Sequence, residues 1–289
     1  MAAESQFGAY GQWVDRHHRG ALLFLLDQSG AMAGPFGGSS TSKAQGAADA
    51  LNRFLYNLVL SCVSGAAQLY DYWDVGVVGY GEGVGSAFQG VLEQPNGAEL
   101  VSIAKIQDRP LRIEERDRPD GTGGVVKFKM PIWIDPMAGG RSPMGEAFQR
   151  AYAVLKPWTR TNPTSFPPVV INIAEGEPDD MDEARHQASR LLSVGTSDGP
   201  VLVFNFHISS GAGAPISFPS APDALPDGLA RFLFDISSIL PPSKVRFAAD
   251  RGIALGEGAR GFVYNGGVSD LPTFLDIGSR GVAIASALF

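Results

Sequence analysis

Apolar side chains in this chain follow two rhythms. Short, mainly apolar runs recur at Ala21-Leu22-Leu23-Phe24-Leu25-Leu26, Val75-Gly76-Val77-Val78, Val169-Val170-Ile171-Asn172-Ile173-Ala174 and Val201-Leu202-Val203-Phe204-Asn205-Phe206. Runs of this length are too short to span a membrane and read as strands buried on both faces of a sheet. Elsewhere apolar residues return at i, i+3 and i+4. Ala44, Ala48, Leu51, Leu55, Leu58 and Cys62 mark a helix from about Ser42 to Val63, with Gly65 as its stop. Ala184, Ala188 and Leu191 mark an amphipathic helix from Met181 to Val194. Helices are also expected over Met144 to Leu155, Asp223 to Ser238, Pro242 to Arg251 and from Asp270 onward, and a last strand over Arg260 to Tyr264. Gly81-Glu82-Gly83 turns the second strand, Asp74 to Tyr80, into an antiparallel edge strand over Val84 to Leu92.

Strands alternating with helices imply an α/β fold: a doubly wound, mainly parallel six-stranded sheet of order 3-2-1-4-5-6, with helices on both faces. Residues 1–18 read as an N-terminal arm, with Trp13 pinned on the body, and 19–289 as a single enlarged domain. One segment departs from this plan. Between about Leu111 and Met130, apolar and charged residues alternate around Asp120-Gly121-Thr122-Gly123-Gly124, as in a two-stranded ribbon with one wet face. It is expected to extend the sheet edge; the alternative is a surface that selects a partner.

The candidate chemistry lies where strands stop. The first run ends on Asp27-Gln28-Ser29-Gly30-Ala31, and in an open parallel sheet such an end opens on the crevice where ligands bind. Two later stretches answer it, Gly139-Gly140-Arg141-Ser142-Pro143-Met144 before a helix and Glu175-Gly176-Glu177-Pro178 after a strand. Together the three resemble a von Willebrand factor type A domain, of the stand-alone bacterial kind. The resemblance implies a metal-ion-dependent adhesion site for magnesium or manganese, with Asp27, Ser29, Ser142 and Glu175 as the matching positions. The match is degenerate. Ala31 stands where a ligating serine belongs, and Glu175 is one methylene longer than the aspartate expected there. A weakly held ion therefore stands beside a metal-free site, in which Asp27 and Glu175 only cap strand ends. Octahedral oxygen coordination explains why hydroxyls and carboxylates serve at such a site.

The remaining composition narrows the function. A net charge of -7 with no long basic run argues against nucleic-acid or anionic-membrane partners. The single cysteine, Cys62, is expected in the core, and one thiol builds no disulfide framework. The N-terminal residues lack the pattern of a signal peptide, so a cytoplasmic protein is expected. Ser40-Thr41-Ser42-Lys43 fits a Ser-x-x-Lys nucleophile motif but has no Lys-Thr-Gly companion, and no phosphate-binding loop or nucleophile elbow is present. The expectation is a non-enzymatic protein-interaction module binding at or near the degenerate site. The resemblance implies a kinase, phosphatase or ATPase of the same system as the partner. Two alternatives stand beside it: a metal-independent scaffold using the ribbon, and a phosphatase-like enzyme acting through Asp27. His17, His18, His186 and His207 read as structural or surface residues, and Tyr80 and Trp133 as core.

Overall fold

The computed structural model of the protein describes residues 10–37, 39–63, 68–88, 100–119, 121, 123–208 and 213–279. The strands are β1 (Gly20–Asp27), β2 (Trp73–Tyr80), β3 (Val84–Ser86), β4 (Val101–Ser102), β5 (Arg112–Pro119), β6 (Val125–Ile132), β7 (Val169–Ala174), β8 (Gly195–Thr196), β9 (Gly199–Pro200), β10 (Leu202–Ile208), β11 (Ile216–Ser217) and β12 (Phe262–Gly266). The α-helices are α1 (Lys43–Ser61), α2 (Ile103–Asp108), α3 (Met144–Thr161), α4 (Met181–Leu192), α5 (Gly228–Asp235), α6 (Pro242–Ala249) and α7 (Asp270–Ser279).

β1 is central because every one of its residues is buried, as its unbroken apolar run requires. It pairs in parallel with β2 on one side and β7 on the other, and β10 and β12 continue the parallel series beyond β7. The sheet is eight-stranded along the path β11-β12-β10-β7-β1-β2-β3, with β4 also on β2. The six strands expected from the sequence thus stand in the expected order. β3, β4 and β11 add the antiparallel edges.

Alternate side chains feed two cores. Leu22, Phe24 and Leu26 meet Leu51, Leu55 and Phe274 from α1 and α7, while Leu23 and Leu25 meet Phe148, Ala188 and Phe232 from α3, α4 and α5. A polar chain crosses the second core. Tyr80 Oη donates to Asn172 Oδ1 (2.9 Å), Asn172 Nδ2 to Asn205 Oδ1 (3.0 Å) and Asn205 Nδ2 to Ser237 Oγ (2.8 Å). Buried amides this deep are tolerated because each finds a partner.

Four elements differ from the sequence reading. The ribbon forms as β5 and β6 but joins no sheet edge, since β3 and β4 already occupy the flank of β2. Instead Met130 and Ile132 are buried, Arg116 pairs with Asp49 of α1 at 2.8 Å, and Asn52 of α1 accepts from the Trp133 and Ile134 amides. The edge strand stops at Ser86, where Ala87 and Phe88 turn inward and are buried; residues 89–92 of the expected strand lie outside the described residues. α3 runs past Pro157 to Thr161, its extra turn held by buried Trp158, whose Nε1 donates to Asp74 (2.9 Å). α5 starts at Gly228 because Asp227 caps it by accepting from the Ala230 amide at 2.8 Å.

In the arm, Val14 is the buried anchor while Trp13 stays 39% exposed, and Asp198 of the β8–β9 turn accepts from the Gly11 and Gln12 amides. Cys62, Tyr80 and Trp133 are buried, as expected. No described helix is long and apolar enough to cross a membrane.

Candidate functional site

β1 and β7 are neighbours, so their carboxyl ends deliver Asp27 and Glu175 to one place. Asp27 Oδ2 accepts from the Glu175 amide (3.1 Å) and Oδ1 from the Ser29 amide (2.8 Å). The side chain is 1% exposed. Burial pushes the Asp27 carboxyl up from its ordinary value, opposed by hydrogen bonds from the Ser29 amide and hydroxyl and the Glu175 amide.

The second loop is pressed against the first, backbone on backbone. Gly139 donates to the Gln28 carbonyl (2.7 Å) and Gly30 to the Gly140 carbonyl (3.2 Å). Gly140 has φ +75°, and a Cβ there would lie 2.5 Å from the Glu82 nitrogen, so only glycine fits. This turn carries Ser142 to the loop after β7, where its amide donates to Asp179 Oδ1 (3.0 Å) and its carbonyl accepts from the Asp179 amide (2.9 Å). Asp180 caps α4 by accepting from the Glu183 amide at 2.9 Å. Ser142 Oγ is buried and has no hydrogen-bonding partner.

The structure adds a residue that the sequence reading set aside. Lys43, in the first turn of α1, reaches across so that Nζ lies 2.6 Å from Glu175 Oε1, with side-chain exposures of 4% and 15%. Ser42 caps the helix, accepting from the Gln45 amide (3.1 Å), and the Lys43 amide donates to the Gly34 carbonyl (2.9 Å), which fixes where the ammonium emerges. One signal in the sequence marked it. Lys43 falls on the same helical face as Ala47, so its head must find a partner inside.

His207 closes the far side of Glu175. Its Nδ1 accepts from the Asn265 amide (3.1 Å), leaving the proton on Nε2 for the Glu175 backbone carbonyl, and its ring stacks on Tyr264 at 4.4 Å. Burial pushes the His207 imidazole below its ordinary value of 6.5. A base held neutral in the fold binds fewer protons folded than unfolded, so stability falls as pH drops through and below 6.5. Urea melts between pH 7 and pH 5 should show this loss. His207→Gln should flatten that dependence; an unchanged slope would assign it to other groups.

In this arrangement most of the candidate ligand atoms are already engaged. Both Asp27 oxygens accept from backbone amides, the Ser29 hydroxyl is turned to Asp27, Glu175 holds an ammonium and Ala31 has no ligand atom; the Ser142 hydroxyl alone is uncommitted. Among the described residues, no group of three or more His, Cys, Asp or Glu is arranged to hold a metal.

No family model matches the chain, and no curated protein matches it. Solved structures share parts of its path at low identity. A manganese-loaded TRAP protein of Plasmodium vivax is 14% identical over 65% of this chain and 57% of that one, with a TM-score of 0.36. The pilus adhesin SpaC of Lactobacillus rhamnosus GG is 10% identical over 92% of this chain and 31% of that one (TM-score 0.46). The minor pilin PilB of Streptococcus sanguinis is 10% identical over 90% and 60% (TM-score 0.42). The chain therefore spans less than two thirds of the length of each of these proteins.

Proposed function

We propose that the chain is a von Willebrand factor type A-like interaction module that docks another protein on the crevice at the carboxyl ends of β1 and β7. The observation that carries this reading is the convergence there of three separate loops. They bring Asp27, Ser29 and Glu175 to adjoining strand ends and seat Ser142 against Asp179 of the loop after β7, with one buried hydroxyl left uncommitted. Such a crevice is where open α/β sheets bind their ligands. Asp27 is a poor nucleophile in this setting, because it is shielded and both oxygens are already accepting. Binding rather than catalysis is the role that fits. Partners of the kinase, phosphatase or ATPase type remain the candidates that the resemblance implies.

The ribbon supports a second reading. Ile113 is 60% and Val125 67% exposed, and β5 and β6 pair only with each other among the described residues. Affinity capture from the native host distinguishes the two faces. Arg141, at the crevice rim, has a 78% exposed side chain, so Arg141→Glu with Ser142→Ala should lose the partner without disturbing the fold. Charge reversal at Lys127 and Lys129 should leave the complex intact. The opposite pattern assigns docking to the ribbon, and retention by both variants rules out both faces.

A further inference from the structure

We infer that the Lys43 ammonium is the resident cation of this site, holding the charge position that a divalent ion would otherwise fill. Asp27 and Glu175 bring two carboxylates to adjoining strand ends, one 1% exposed and the other largely buried. Carboxylates so placed require a positive counter-charge. The fold supplies it from its own chain: Nζ sits 2.6 Å from Glu175 Oε1 and within contact of Gly34, where a Cβ would lie 3.6 Å away. The longer glutamate at this position gains a purpose, since its extra methylene carries the carboxylate out to the lysine. A divalent ion entering here would have to displace or adjoin a fixed ammonium. The site therefore does its work without metal, and Lys43 is the residue that excludes it. This inference rests on the ion pair and the acids beside it, and stands whichever face docks a partner.

The test is manganese binding to the purified full chain, read by loss of the free-ion electron paramagnetic resonance signal and by thermal shift. Wild type should bind no Mn2+ up to millimolar concentration. Ala31→Ser, which restores only the missing hydroxyl, should be equally silent while Lys43 stays in place. Lys43→Ala leaves the acids without their ammonium and should gain at least tenfold in Mn2+ affinity over wild type, with a Mn2+-dependent rise in Tm that magnesium reproduces. Lys43→Ser serves as the second variant if the alanine form does not fold. Wild-type binding as tight as that of the Lys43 variants would overturn the inference. So would a folded Lys43 variant that binds none, or binding gained by Ala31→Ser alone.

Discussion

Lys244→Met should make the protein more stable at neutral pH, by about 1–4 kcal/mol, the range found when buried charged groups give way to well-packed apolar ones. Lys244 lies in the first turn of α6 and is 0% exposed. Its Nζ donates to the Gly278 carbonyl at 2.7 Å and lies over the Phe166 and Phe204 rings at 5.6 and 5.8 Å. Burial lowers the amine from 10.5 to about 7. Between about 7 and 10.5 the unfolded chain carries a proton on this group that the folded chain lacks, so stability rises with pH across that window. The slope contributed is up to ~1.4 kcal/mol per pH unit. Above the window the lysine costs nothing; below about 7 its full penalty applies. Denaturant melts at pH 6, 7, 8 and 9 should show the rise in wild type and its loss in Lys244→Met. Equal slopes would mean that the ammonium is solvated in the folded state.

The second large effect is expected at the ion pair. Glu175→Ala takes the carboxylate away from a nearly buried ammonium and should cost ~3–5 kcal/mol, as losing one member of such a pair does elsewhere. Lys43→Met combined with Glu175→Leu replaces both charges by apolar groups of similar volume and should recover most of that loss. A double-mutant cycle by urea denaturation measures the coupling. A single-variant cost near 1 kcal/mol, the value typical of exposed pairs, would mean that water reaches the site and would remove the electrostatic basis for a resident cation.

Much of the fold was legible because the central strands are unbroken apolar runs. β1 and β7 carry no polar residue except Asn172 and the terminal Asp27, so they could lie nowhere but between helices. Asp27, Ser29, Ser142 and Glu175 stood out as candidates because they end or closely follow those strands or precede a helix. Lys43 was legible only as a position on the buried face of its helix, because its partner lies 132 residues away and nothing local in Ser-Thr-Ser-Lys shows which acid it meets. Lys244 was hidden similarly: Ser243-Lys244-Val245-Arg246 reads as a wet helix face until Gly278 and two phenylalanines close over it. β4, β8, β9 and β11 are two residues each, too short to express a period. The ribbon was visible as a hairpin, but its docking on α1 depends on Asp49 and Asn52, which the helical pattern alone marks only as polar positions.

The polar chain through the second core has a consequence for how the strands find their alignment. A slip of one residue between β7 and β10 would send Asn172 and Asn205 to opposite faces of the sheet. A slip of two would not, and because Val, Ile and Phe alternate on both strands one apolar neighbour replaces another. Asn172 sits directly opposite Asn205, and the positions two residues away on β10 are Val203 and His207. After a two-residue slip the Asn172 amide would face one of these, and Tyr80 would have to follow it across β1. The amides thus act as a key that admits a single alignment of otherwise interchangeable strands, and the loops at their ends arrive together only when that key has turned.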